Sequence, residues 1–217
     1  MTAFALLVVA KAPVPGFAKT RLCPPATPEQ AAAIAAASLL DTLDAVLATP
    51  GAVPVVAFTG ALDQAANRTE ITAALRHTTV FPQRGDGFGE RLANAHADTA
   101  ARCPGLPVLQ IGMDTPQVTP DLLAATAARL DEREAVLGPA DDGGWWALGL
   151  RDPLQAAVLV DVPMSRPDTG ALTRKALDGL TIGIASRLSD VDTMADAIAV
   201  VSRTNGRFAT AVLGQAA

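Results

Sequence analysis

The stretch Val108-Leu109-Gln110-Ile111-Gly112-Met113-Asp114-Thr115-Pro116 decides the fold. It begins as a short apolar run, the pattern of a strand buried on both faces. It ends in one carboxylate, Asp114, and a Thr-Pro turn. Thr119-Pro120-Asp121 then opens a helix, with Thr at the N-cap, Pro in the first position and an acid in the first turn. Asp114 is therefore expected at the carboxyl end of a central strand beside a helix N-terminus, where open α/β sheets bind ligands. A carboxylate there, with other acids on similar strand ends, points to a divalent cation carrying a phosphorylated ligand. An Asp that only caps a loop would look the same in isolation.

Toward the N-terminus, Phe4 to Ala10 reads as a first buried strand. The loop after it, Lys11 to Leu22, holds the cations Lys11, Lys19 and Arg21, the stiffening Pro13 and Pro15, the permissive Gly16, and no acid. A rigid basic loop after the first strand suits phosphate binding; a solvated surface loop is the plainer alternative. Neither the Walker A spacing nor a Rossmann glycine fingerprint is present. Thr27-Pro28-Glu29-Gln30 is a capping-box start for a helix running to about Leu47. Val53 to Thr59 reads as a strand, Leu62 to Arg76 as a helix and Thr78 to Phe81 as a short strand. That alternation predicts parallel pairing with crossover helices.

Glycines alternate through Pro82-Gln83-Arg84-Gly85-Asp86-Gly87-Phe88-Gly89-Glu90-Arg91, just before a helix expected over 90–102. Such a loop can let a flat ligand approach the backbone, or can simply connect. His96 inside that helix, and His77 at a helix end, read as surface or capping residues. Beyond the central strand, a helix is expected from Pro120 to about Leu130 and a strand over Ala135 to Pro139. Asp141-Asp142-Gly143-Gly144 follows, and then Trp145 and Trp146, the only two tryptophans. Asp-Gly is a strong hairpin signal, and such a turn can still present one carboxylate to a site. Val158 to Val162 reads as a short strand, Thr169 to Leu180 as a helix, and Thr181 to Ala185 as a strand. Asp192 is expected to cap a last helix over 193–203, which leaves Asp190 with no capping duty. Ala209 to Ala217 is weakly specified.

Composition narrows the function classes. The 217 residues fit one large α/β domain. Half of them are hydrophobic, yet aromatics are only 4% and Tyr is absent, so the core must be aliphatic. A net charge of −5 and a pI near 4.9 argue against a general nucleic-acid binder. No apolar run is expected to reach the length of a membrane-spanning helix, and the start of the chain lacks the pattern of a secretory leader. Cys23 and Cys103 form no zinc motif and read as reduced thiols of a cytoplasmic protein.

Four motifs collect at one end of the expected sheet: Lys11 to Leu22; Gly112-Met113-Asp114-Thr115-Pro116; Pro139-Ala140-Asp141-Asp142-Gly143-Gly144-Trp145; and Asp190-Val191-Asp192-Thr193. Together they resemble the nucleotide-diphospho-sugar transferase superfamily, in particular its bacterial arsenosugar-biosynthesis-type glycosyltransferases and, more distantly, the phospholactate guanylyltransferases. The resemblance implies a GT-A-like three-layer sandwich, with a mostly parallel mixed central sheet flanked by helices, as a single domain over 1–217. It implies nucleotide phosphates held by Lys11, Lys19, Arg21 and backbone N–H groups of Ala10, Ala12 and Gly16, with Gln83 and Gly87 against the base. It further implies Mg²⁺ or Mn²⁺ on Asp114 with Asp142 as a second ligand, catalytic duty for Asp114, Asp142 and Lys19, and an acceptor pocket lined by Gly143, Gly144, Trp145 and Trp146. The chain departs from the superfamily in two places: it has no G-x-G-x-R loop and no D-x-D. The expected activity is metal-dependent transfer from a nucleotide-activated donor, most simply glycosyl transfer from a nucleotide sugar to a small-molecule acceptor. Nucleotidyl transfer to a small phosphorylated acceptor and non-catalytic nucleotide binding are the alternatives. Asp142 and Asp190 are both candidate general bases.

Overall fold

The computed structural model describes residues 3–214. Its strands are β1 (Phe4–Lys11), β2 (Ala52–Thr59), β3 (Thr79–Pro82), β4 (Val108–Gly112), β5 (Ala135–Pro139), β6 (Trp145–Leu150) and β7 (Ile182–Ile184), in one sheet of order β3-β2-β1-β4-β6-β5-β7. Every neighbouring pair is parallel except those of β6, which runs antiparallel to β4 and β5. From β1 the chain moves outward to β2 and β3, then returns to lay β4 on the other side of β1. The carboxyl ends of β1 and β4 thus flank a switch point, where α/β sheets open a ligand crevice. Val9 pairs with Gly112, so Lys11 and Asp114, each two residues further on, leave the same edge.

The helices are α1 (Pro28–Leu47), α2 (Arg68–Leu75), α3 (Phe88–Arg102), α4 (Pro120–Ala128), α5 (Thr169–Ala176), α6 (Met194–Val201) and α7 (Arg207–Leu213). Alternation along the strands sends Leu6, Val8, Leu109 and Ile111 to one face, where Leu39, Leu40 and Leu43 of α1 and Leu123 of α4 cover them. Ala5, Leu7 and Val108 face the other way, toward Ala95 of α3. On its outer side α1 meets Ala197 and Val200 of α6 and Phe208 and Val212 of α7, through Ala31, Ile34 and Ala37. By length and apolarity alone α1 could cross a membrane, which corrects the expectation that no run is long enough. Most of that helix is buried between the sheet and the last two helices, and this accounts for its composition.

Several local expectations give way to tertiary contacts. The helix expected over 62–76 is split: a 3₁₀ turn at Leu62–Gln64 precedes α2, and Asn67 between them is left-handed at φ 52°. The Ala66 N–H is drawn to the Pro13 carbonyl at 3.0 Å, which interrupts the helical ladder. The strand expected at 158–162 is part of a 3₁₀ helix, Pro153–Asp161. Asp152 opens it by accepting from the Leu154 N–H at 3.0 Å, and its buried Ala156 and Leu159 join the apolar cluster of Leu92 in α3. The weakly specified tail forms α7, because the Asp41 carboxylate on α1 accepts from the Arg207 and Phe208 N–H groups at 3.0 and 2.8 Å. Of that tail, 215–217 lie outside the described residues.

His96 is not a surface residue. It is 0% exposed on the sheet-facing side of α3, and among the described residues neither ring nitrogen has a hydrogen-bond partner. Burial pushes its pKa down to about 4; the Gln110 carboxamide beside it pulls the other way but has no good hydrogen-bond geometry to the ring. The folded state therefore refuses a proton that the unfolded chain takes up near pH 6.5. Stability is expected to fall as the pH drops from about 6.5 to about 4, by about 3 kcal/mol in full. Denaturant unfolding of wild type and His96→Leu across that range checks this: the variant should lose that part of the slope.

Candidate active site

The switch point opens into a cavity of about 1140 Å³. One wall is the loop after β1. The cis peptide bonds Cys23–Pro24 and Pro24–Pro25 follow it, and within it Lys19 is left-handed at φ 48°, ψ 41°. Lys19 turns its side chain inward, 15% exposed, and its Nζ donates to Asp114 Oδ2 at 2.8 Å and to Asp192 Oδ1 at 2.9 Å. Arg21 Nη1 reaches the other oxygen of Asp192 at 3.3 Å. Lys11 faces the cavity as well, with its Nζ on the Phe17 carbonyl at 2.8 Å.

The carboxylates converge from separate segments. Asp114 follows β4. Asp190 and Asp192 follow β7, and their segment is tied to the β4 end by the Val191 N–H, which donates to the Asp114 carbonyl at 2.9 Å. Asp192 does not cap α6 as the sequence suggests; Thr193 does, in a capping box with Asp196. Asp192 is thereby left to hold Lys19 and Arg21. Asp190 accepts from the Thr115 hydroxyl at 2.9 Å.

The electrostatics of the edge follow from this crowding. Burial opposes the charge of Lys19, yet Asp114 and Asp192 outweigh it and its pKa is raised. Burial also opposes the charge of Asp192, but Lys19 and then Arg21 hold its pKa below the ordinary value. Asp190 goes the other way. Burial and then the charge of Asp114 push its pKa well above the carboxylate range, Asp142 adds to the push, and the Thr115 hydroxyl and Lys19 offset part of it.

Such a donor set suits a hard divalent cation. Among the described residues no group of three His, Cys, Asp or Glu side chains is arranged around a single metal position. Mg²⁺, however, is commonly bound by one or two carboxylates and completed by substrate phosphates. Asp114 and Asp190 supply two repelling carboxylates that a cation would relieve.

The opposite wall is the β5–β6 hairpin turn. Its two acids part company: Asp141 takes the Ser189 hydroxyl, and Asp142 lines the cavity while accepting from the Gly144 N–H at 2.8 Å. Trp145 is half-buried there, with its Nε1 donating to Thr173 Oγ1 at 3.1 Å. Trp146 borders the cavity as expected but only by an edge: it is 2% exposed, its Nε1 donates to the Ser186 carbonyl, and most of its ring packs in the core.

Other expected residues divide similarly. Ala10 lines the cavity, and Gln83 Nε2 donates to the Ala10 and Ala57 carbonyls, 2.9 Å each, locking the β3 exit to β1 and β2. The Ala12 N–H is already bonded to the Thr59 carbonyl at 2.8 Å and is not free for a phosphate. Gly16 and Gly87 lie outside the cavity lining, where Gly85 and Phe88 stand instead. Sequence reasoning quoted Asp192 in a motif but gave it only a capping duty, and it missed Arg91 and the 164–167 segment; the last reads as a featureless loop, so only the fold brings it to the site.

Gly143 is the joint of that far wall. At φ 88° it is left-handed, and a Cβ there would lie 1.9 Å from the Pro167 carbonyl oxygen. The Gly170 N–H donates back to the Gly143 carbonyl at 2.9 Å. Gly143→Ala is expected to lower the unfolding free energy by about 1–3 kcal/mol, read as a lower thermal midpoint. Gly105→Ala, left-handed at φ 78° with nothing within 4 Å, carries the backbone strain alone and should lose about 1 kcal/mol.

Comparison with known proteins agrees with this fold. No curated protein matches the chain by sequence. Among solved structures, it is similar to a protein of Desulfovibrio desulfuricans G20 whose description as a nucleotide-diphospho-sugar transferase is itself provisional: 25% identity, 94% of this chain and 89% of that one, TM-score 0.76. The 4-diphosphocytidyl-2C-methyl-D-erythritol synthase of Anaerococcus prevotii shares the fold at 12% identity, over 99% of this chain and 97% of that one, TM-score 0.58. So does Mycobacterium tuberculosis Rv0371c, crystallised with manganese, at 18% identity, over 94% of this chain and all of that one, TM-score 0.53. The fold is thus that of the GT-A-like nucleotide-diphospho-sugar transferase superfamily. A family model described as an uncharacterized protein conserved in bacteria, DUF2064, matches residues 42–166; since that is more than half of the chain, the chain belongs to this family.

Proposed function

We propose that the chain is a metal-dependent transferase acting as one domain in the cytoplasm, and that it moves a glycosyl group from a nucleotide sugar to a small-molecule acceptor. One observation carries the reading: a basic loop and a carboxylate edge share one cavity at the switch point, with Gly144 and Trp145 of the β5–β6 turn in the same lining. Lys11, Lys19 and Arg21 bring fixed positive charge to the side where a diphosphate would lie. Asp114 and Asp190 are the residues to hold Mg²⁺ or Mn²⁺, with Asp142 in reach as a further ligand or as general base. A divalent cation bound there would neutralise charge developing on the diphosphate leaving group. Gln83 and Gly85 would border the base, and Gly144 and Trp145 the acceptor. The free cysteines Cys23 and Cys103 support the cytoplasmic setting.

A second reading is nucleotidyl transfer, in which a small phosphorylated acceptor attacks the α-phosphate of a nucleoside triphosphate. It is favoured by the fold shared with the cytidyl-product synthase over 97% of that protein's length.

Thermal-shift measurements with nucleoside triphosphates, UDP-sugars and GDP-sugars, each with and without Mg²⁺ or Mn²⁺, test both. A ligand at about 100 times its Kd adds roughly 2.7 kcal/mol of stability. A metal-requiring shift with one sugar nucleotide is the expected result. A shift with one triphosphate alone moves the assignment to nucleotidyl transfer, and no shift with any ligand overturns both. With the donor identified, Asp114→Asn and Asp190→Asn are each expected to lower the transfer rate about 10²–10³-fold.

A further inference from the structure

Lys19 sits where two demands collide. Its ammonium bridges Asp114 Oδ2 at 2.8 Å and Asp192 Oδ1 at 2.9 Å. Asp114 is the carboxylate that the proposed function assigns to a divalent cation, and one carboxylate cannot serve an ammonium and a metal ion at full strength. The left-handed backbone of Lys19 is a costly conformation for a residue with a Cβ, and it persists where the surroundings fix it. Here they include a pair of carboxylates on one ammonium. Asp192 has no other assignment: the α6 cap belongs to Thr193 and Asp196, and both of its oxygens face the basic loop.

We propose that the Lys19 ammonium has two alternative holders, and that Asp192 is the positioning residue that takes it when a divalent cation engages Asp114. This rests on the metal-dependent reading above. Without Asp192 the ammonium would have only Asp114 to pair with, and it would compete directly with the metal. With Asp192 it can withdraw a short distance and remain buried, paired and close to where a diphosphate would lie. The simpler rival is that Asp192 acts only as one more negative charge that attracts cations.

A double-mutant cycle on Mn²⁺ binding separates the two. Free Mn²⁺ is followed by electron paramagnetic resonance at fixed ionic strength, without nucleotide, on wild type, Lys19→Met, Asp192→Asn and the double variant. Lys19→Met is expected to tighten Mn²⁺ about tenfold and Asp192→Asn to weaken it about tenfold, the scale on which outer-shell partners act on metal affinity. In the Lys19→Met background Asp192→Asn should change affinity less than twofold, because no ammonium is left to hold. An equal loss in both backgrounds overturns the proposal and leaves the metal reading intact, and so does an unchanged affinity in Lys19→Met. If no protein binds Mn²⁺ more tightly than Asp114→Asn does, this proposal falls, while the metal reading is decided by the metal requirement of the nucleotide-induced thermal shifts. Thermal midpoints check folding, and Lys19→Gln with Asp192→Ser completes the same cycle should either first variant fail to fold.

Discussion

The backbone hydrogen bond from the Val191 N–H to the Asp114 carbonyl at 2.9 Å, with the Gln117 amide on the Ser189 carbonyl at 2.7 Å, holds the segment after β7 against the end of β4. Once that contact is made, Asp190 and Asp192 must stand beside Asp114. Like charges at such range cannot all remain ionised and buried without an opposing cation. The rest of the edge is a response to that crowding. The basic loop enters from β1, Lys19 goes inward, the Thr115 hydroxyl turns to Asp190, and Arg21 stays at the rim, 73% exposed. A carboxylate edge of this kind is made by topology, since Thr115 and Asp190 lie 75 residues apart in the chain.

The scaffold holding that edge is built largely from small residues. With six Phe, two Trp and no Tyr, tight packing depends on close approach. Ala31, Ala35 and Ala36 of α1 are at most 2% exposed, so the helix lies near its neighbours on both sides. Some polar groups inside are satisfied locally: the Thr42 and Thr49 hydroxyls donate to carbonyls four residues back, at 2.8 and 2.7 Å. Others reach across the chain, as the Ser38 hydroxyl does to the Met113 carbonyl at 2.8 Å. Among the described residues the His96 ring nitrogens, Gln110 Oε1 and Gln117 Oε1 are buried without partners.

Much of this was legible in the sequence. The Thr27–Gln30 capping box marked the start of α1 because both members of the reciprocal pair are local, and the run over 135–139 marked β5 for a similar reason. Asp114 was placed by a strand and a helix start that flank it directly. Several misreadings have distant causes. Asn67 breaks a helix because Pro13 lies beside Ala66, and α7 forms because Asp41 caps it from another helix. Asp192 was assigned to a cap on spacing alone, although Thr193, with Asp196 three residues on, offered the better box. The duty of Asp192 at the site depends on Lys19, 173 residues away, and no local pattern could announce it.

The double covering of α1 bears on how the chain is made. The helix leaves the ribosome well ahead of the two helices that close its outer face. Until they follow, its Ile34 side is open, with the sheet that receives its Leu40 side still incomplete. During that interval a segment with the length and apolarity of a membrane span is exposed to chaperones, to other chains and to bilayers. Loss of α6 and α7, by an early stop or by proteolysis, would return the protein to that state, and the damage would appear as misrouting or aggregation.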